Sequence, residues 1–335
     1  MDTDPRFSRL RQWLAETVPA KLGETPSSEP VPASSDASFR RYFRIEIGER
    51  TFIVMDAPPE QEQTEPFVRI AGWLREMGLN APEVFAWNRE EGFVLLSDLG
   101  TVDYQQALNE ETADALYRDA LMALVRMQQA GDGYVDQLST YDMRLLQEEM
   151  ALFADWLVER HLSLDTPDWW PETTAALSES ALAQPQVFVH RDYHSRNLMV
   201  SDPNPGLLDF QDAVRGPLTY DAASLLRDCY VRWPAEQVDI WRKQYFDQLV
   251  QVGLQRPEDW RGFVRAFDLM GIQRHLKAAG IFARLWHRDG KSRYLADVPN
   301  TLRYIVEVGV HYPETRVLAD WVGETVLPAF EAQHA

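Results

Sequence analysis

Three side chains with hard oxygen to offer lie close together in this sequence: Asp192, Asn197 five positions later, and Asp209 beyond a turn. They belong to the stretch from 186 to 211, QVFVHRDYHSRNLMVSDPNPGLLDFQ. Phosphoryl transfer is the chemistry such a set suits, because it asks little covalent work of a protein. It needs one carboxylate oriented at an acceptor hydroxyl and Mg²⁺ on the phosphates of a nucleotide. Asp192 fits the first task, and Asn197 and Asp209 offer the few oxygen ligands that Mg²⁺ takes beside phosphate. An isolated H-x-D is more often a turn with a satisfied aspartate, so the weight rests on the spacing and the later Asp-Phe taken together.

The elements around these residues can be read from pattern. Val187 to Val189 is an apolar run bounded downstream by Asp202-Pro-Asn-Pro-Gly206, which fits a buried strand better than a helix. At the start of the chain Asp4-Pro5 reads as an N-cap and first helical position, followed by Phe7, Leu10, Trp13, Leu14 and Val18 at helical spacing. Residues 23–37 are rich in Pro and Ser and read as a loop. Strands over 39–47 and 51–55 meet around Gly48-Glu49, with Phe39, Phe43 and Ile45 on one face and Arg40, Tyr42 and Arg44 on the other. That basic face is where phosphate could lie, with Arg40 or Arg44 supplying charge and Ser38 a hydroxyl, or both arginines could be solvated. A helix over 64–77 and strands over 83–87 and 93–96 follow, and Glu65 is a candidate partner for a phosphate-binding arginine. Beyond Ser97-Asp98-Leu99-Gly100 the pattern turns helical, giving an α+β chain divided into residues 1–98 and 99–335.

A formal net charge of -19 argues against a nucleic-acid partner, which needs a basic face. Cys229 stands alone, so no internal disulfide forms and a reducing cytoplasm is the expected setting. No window approaches eighteen apolar residues, the opening residues lack the apolar core of a signal peptide, and nothing indicates a membrane or an obligate protein partner. Within this acidic chain the segment 272–295 concentrates Arg274, His275, Lys277, Arg284, His287, Arg288, Lys291 and Arg293. It is either a solvated face paired with nearby acids or, in part, the surface that meets an anionic or polar substrate. His194, inside the Asp192 loop, is open to the same two readings.

The pattern H-R-D-x-x-x-x-N followed by Asp-Phe resembles the catalytic and metal-binding loops of eukaryotic-like kinases. Over nearly the whole chain, SDASFRRYFRI (35–45), FIVMDAPPE (52–60), FVLLSDLG (93–100), VHRDYHSRNLM (189–199), LLDFQDAVRGPLTYDAASLLRD (207–228) and IQRHLKAAGIFARL (272–285) resemble the aminoglycoside phosphotransferase family, and within it the bacterial anomeric amino-sugar kinases of cell-wall recycling. The resemblance implies a two-lobed protein-kinase-like fold with a nucleotide-binding first lobe, ATP and Mg²⁺ as cofactors, and a small amino sugar as substrate. It further implies Asp192 as catalytic base, Asn197 and Asp209 as metal ligands, Asp98 and Leu99 in a hinge that meets adenine, and His190 and Asp221 behind the catalytic loop. His194, Arg274 and His275 are then candidates for substrate contact. One departure is plain: the strand FIVMDAP lacks the lysine that kinases place there. The alternatives are another small hydroxylated acceptor, such as an aminoglycoside, choline or a different sugar, and a non-catalytic pseudokinase.

Overall fold

A computed structural model describes residues 4–34 and 39–334. They divide into two compact units, one comprising the described residues up to Val102 together with Met199–Asp212, the other Asp103–Leu198 with Ala213 onward. Ser38 lies outside the described residues.

The first unit opens with α1 (Pro5–Leu22), capped as its sequence dictates by the Asp4 side chain on the Arg6 and Phe7 N–H groups and closed by Gly23 at φ 72°. After it come β1 (Val31–Ser34), β2 (Arg41–Ile47), β3 (Arg50–Asp56), α2 (Glu65–Glu76), β4 (Val84–Asn88) and β5 (Phe93–Ser97). The strands form one antiparallel sheet in the order β1-β2-β3-β5-β4. Alternation along β2 and β3 sends Phe43, Ile45, Ile47, Phe52 and Val54 to the face that α1 covers with Leu10, Leu14 and Val18. Burying such side chains contributes about 1.5–3 kcal/mol each. Tyr42 pairs with Met55, the register expected from the hairpin. Phe39 departs from expectation: β3 ends at Asp56, the partner of Arg41, so residue 39 has no strand opposite it and Phe39 is 64% exposed.

The second unit is mainly helical. Its elements are α3 (Tyr104–Ala107), α4 (Ala113–Ala130), β6 (Ser139–Thr140), α5 (Met143–Leu152), a π-helical continuation (Phe153–His161), α6 (Trp170–Leu182) and β7 (Gln186–Val189). The chain then supplies β8 (Leu198–Met199) and β9 (Gly206–Leu207), a paired hairpin whose segment 199–212 belongs to the first unit. It resumes with β10 (Val214–Pro217), α7 (Tyr220–Leu226), α8 (Ala235–Gln251), α9 (Trp260–Asp289), α10 (Val298–Gly309), α11 (Pro313–Trp321) and α12 (Leu327–Gln333). Strand β10 runs between β6 and β7, antiparallel to the latter, and so carries β7 into the loop that starts at His190. The small antiparallel-sheet unit and larger helical unit are the two-lobed α+β architecture that the sequence implies.

The thirty-residue helix α9 is buried on most sides, so its polar residues must find partners inside the protein. Asp268 takes both Arg227 and Arg242, and Lys277 takes Glu149 of α5. Gly280 lets α9 approach the α5 backbone: a Cβ there would stand 2.3 Å from the Leu152 carbonyl carbon and 2.5 Å from the Phe153 nitrogen. Among the described residues no helix is long and apolar enough to cross a membrane.

Candidate active site

The loop after β7 is held at two points by carboxylates from one segment. Asp221, on α7, accepts the backbone N–H groups of His190 at 2.7 Å and Arg191 at 3.0 Å. Asp228 accepts those of Ser195 and Tyr230, each at 2.9 Å. Burial pushes the Asp221 carboxyl up to about 7, against the pull of its two N–H donors. Asp192 is half-buried between these points. Burial alone would raise its pKa, but Lys277, His194 and Arg191 outweigh it and hold the carboxyl below its ordinary value. A carboxylate kept ionised in this way can accept a hydrogen bond from a hydroxyl and orient it, at the cost of lowered basicity.

Several expected residues gather with Asp192 in the second unit. The Asn197 amide donates through Nδ2 to the Asp192 carbonyl at 3.0 Å, and His194 Nε2 lies 3.4 Å from the same Nδ2. His194 is buried with its ring edge-on to Tyr230, and burial lowers its pKa. His190 is fully buried with its ring edge-on to Tyr193. The basic segment 272–295 is not one face: Arg274, His275 and Lys277 of α9 are buried, whereas Arg288 and, beyond the helix, Arg293 are exposed, so of the two readings the solvated face does not hold for the whole segment. His275 is engaged by the fold: Nε2–H donates to the Arg227 carbonyl at 2.8 Å and the ring stacks on Tyr304. Arg274 lies against Cys229, with Nη1 3.6 Å from Sγ, and is coupled electrostatically to Asp228 and Asp192.

Asp209 gathers a different group, in the first unit. Its backbone sits at φ 62°, its Oδ1 accepts from Gln211 Nε2 at 2.7 Å, and the Phe210 ring packs 4.9 Å from Phe67 of α2. Arg40 pairs with Glu62 at 3.0 Å. Burial works against the Arg40 charge, but Tyr42, Glu62 and Asp209 outweigh it. Arg44 is committed elsewhere, to Asp98 through Nε at 2.5 Å and Nη2 at 3.1 Å and to the Gly100 carbonyl at 3.0 Å. Of the two candidates, then, the structure brings Arg40 within electrostatic reach of Asp209 and makes Arg44 a tie for the segment carrying Asp98 and Leu99. Glu65 pairs with Arg69 one turn along its own helix, so the acid opposite the arginine is Glu62 and not Glu65. Glu62 precedes the periodic part of α2, and no sequence signal marked it.

The two arginines can be told apart. Arg40→Met should raise the Michaelis constant for ATP or lower turnover by tenfold or more, on the order of what a lost charge-assisted contact to phosphate costs. Arg44→Met should leave ATP kinetics near parental and cost up to about 1 kcal/mol of stability, the range of a partly exposed ion pair. Steady-state kinetics over ATP and urea denaturation check both outcomes, and two kinetically silent variants would remove arginine from the phosphate site.

Among the described residues no three His, Cys, Asp or Glu side chains cluster as a metal centre. Mg²⁺ on a nucleotide takes one or two protein oxygens and completes its shell with phosphate and water. An amide and a carboxylate, Asn197 and Asp209, are donors of that kind.

Comparison with known proteins gives the family. Residues 29–263 match the phosphotransferase enzyme family, a span that includes Asp192, Asn197, Asp209 and Asp221. The chain is 46% identical over 329 residues to an N-acetylmuramate/N-acetylglucosamine kinase of Pseudomonas aeruginosa, covering 96% of this chain and 97% of that protein. It is 38% identical over 335 residues to a kinase of the same name from Neisseria meningitidis, covering 96% and 98%. Among solved structures, an ethanolamine kinase of Plasmodium vivax superimposes with a TM-score of 0.64 at 10% identity, covering 89% of this chain and 86% of that one, a likeness of fold. The chain belongs to the phosphotransferase enzyme family, ATP-dependent enzymes that act on alcohol groups of small molecules.

Proposed function

We propose that this protein transfers the γ-phosphoryl group of ATP to the anomeric C1 hydroxyl of N-acetylmuramate and N-acetylglucosamine, giving the sugar 1-phosphates used in peptidoglycan recycling. The observation that carries the substrate is the 46% identity, over almost the full length of both chains, to a kinase named for these two sugars. Asp192 is the base: its ionised carboxylate takes the proton as the C1 oxygen attacks. An anomeric hydroxyl is more acidic than an ordinary alcohol, so a carboxylate is adequate for the task. Asn197 and Asp209 hold Mg²⁺, which neutralises charge on the phosphates when bound. Arg40, oriented by Glu62, takes the place of the absent lysine, and Asp98 and Leu99 lie where adenine is met. The first compact unit, which includes Asp209, serves the nucleotide, and the second carries the catalytic base and meets the sugar, with His194 and Arg274 as candidates for contact with the acceptor. A reaction that consumes ATP belongs in the cytoplasm.

Two altered sugars test the acceptor. The 1-O-methyl glycoside lacks the attacking hydroxyl, and the borohydride-reduced sugar lacks the ring and its anomeric centre. Both should be inert in a coupled ADP-release assay in which N-acetylmuramate and N-acetylglucosamine turn over. Phosphorylation of the methyl glycoside would move the acceptor to another hydroxyl and end the anomeric reading, and turnover of choline or an aminoglycoside in place of the sugars would end the amino-sugar reading.

A further inference from the structure

Glu149 is a buried carboxylate that the reading above leaves without a task. It lies on α5 and gathers donors from three other places: Arg191 Nη2 at 2.5 Å from the loop after β7, Lys277 Nζ at 3.0 Å from α9, and the Tyr141 hydroxyl. Burial by itself would push its carboxyl up, but Lys277 and Arg191 outweigh that and hold it below the usual carboxylate range. Lys277 also donates to the Tyr220 hydroxyl at 3.0 Å, so the carboxylate sits in a fixed frame.

Arg191 is the unusual member of the group. Its φ is 76°, in the left-handed region that residues with a side chain seldom enter, and it directly precedes Asp192. Strain of this kind persists only where the surroundings over-determine it. Asp221 restrains the Arg191 backbone through its N–H, and Glu149 restrains the far end of the side chain. The charge-assisted bond anchors the guanidinium, so a relaxation of the backbone to negative φ has to be taken up along the side chain or break that bond.

We propose that Glu149 is a positioning residue for Asp192: by holding the Arg191 guanidinium it keeps Arg191 in the left-handed conformation that aims the Asp192 carboxylate at the acceptor. The inference rests on the role given to Asp192 above.

Two substitutions at one position test it, because Arg191→Ala and Arg191→Gly both remove the guanidinium while only glycine takes positive φ without steric cost. The alanine variant should lose kcat on the order of 10²-fold, the scale on which a misplacement of about 1 Å acts, with the Michaelis constants for ATP and sugar little changed. The glycine variant should recover roughly tenfold of that loss, since its backbone can keep the aim unaided. Glu149→Gln keeps the shape and should behave like the alanine variant, and the Glu149→Gln/Arg191→Ala double variant should be no worse than either single, because the two act through one contact. Urea denaturation of every variant separates lost aim from lost fold. Equal kcat for the alanine and glycine variants, or multiplied losses in the double variant, would overturn the proposal. Asp192→Asn measured alongside tells the two failures apart: parental turnover there means that the reading of Asp192 has failed, and this proposal with it.

Discussion

Asp192→Asn should lower kcat by about 10²- to 10⁴-fold, the contribution of a positioned general base, while the affinity for ATP stays within a few-fold of the parent. The substitution preserves size and removes the charge that Lys277, His194 and Arg191 stabilise. Because it leaves Lys277 and Arg191 facing an amide, some loss of stability will accompany it, and turnover should be read at a temperature where denaturation curves show the variant fully folded. Nucleotide binding serves as the internal control, since Arg40 and Asp209 lie in the other compact unit. A variant with near-parental turnover would remove Asp192 from the chemistry and the whole loop assignment with it.

The second large effect is expected at Asp209. Its φ of 62° makes alanine a poor probe, because a methyl side chain is strained there. Asparagine tolerates the left-handed region and isolates the charge. Asp209→Asn should cost on the order of 10²–10³ in kcat/KM for ATP, the scale of one preorganised electrostatic contact to a transferring group, and should flatten the dependence of ATP affinity on Mg²⁺. Titrations of ATP binding with and without Mg²⁺ are the measurement. If the variant gains as much affinity from Mg²⁺ as the parent does, Asp209 is a structural residue and its bond to Gln211 is its purpose.

The parts of this site that could be read in the sequence are those held by local spacing. Asp192, Asn197 and Asp209 follow one another along a strand, loop and turn, whereas Asp221 was expected behind that loop through the resemblance to kinases, and it does hold the loop's N–H groups. Both the helix start at Asp4-Pro5 and the register that puts Tyr42 opposite Met55 also follow from local rules. What stayed hidden depends on contacts between distant elements. Arg40 and Arg44 were equivalent by pattern, and only the placement of Glu62 and Asp98 separates them. The basic residues of 272–295 form one group by pattern, but the middle of α9 is enclosed by neighbouring helices and Arg274, His275 and Lys277 are turned inward. Glu149 carried no motif at all, being an ordinary acid on an amphipathic helix until Arg191 and Lys277 arrive from elsewhere in the chain.

Gly280 lies one turn beyond Lys277 on α9, and the backbone it touches, at Leu152 and Phe153, lies one turn beyond Glu149. The separation of the two helices at their ion pair is therefore set by a residue with no side chain. A methyl group at position 280 would spread the helices and stretch the contact that steadies Glu149. A substitution there would look like a packing change far along the helix, yet its cost would be passed through Glu149 and Arg191 to the loop that carries Asp192.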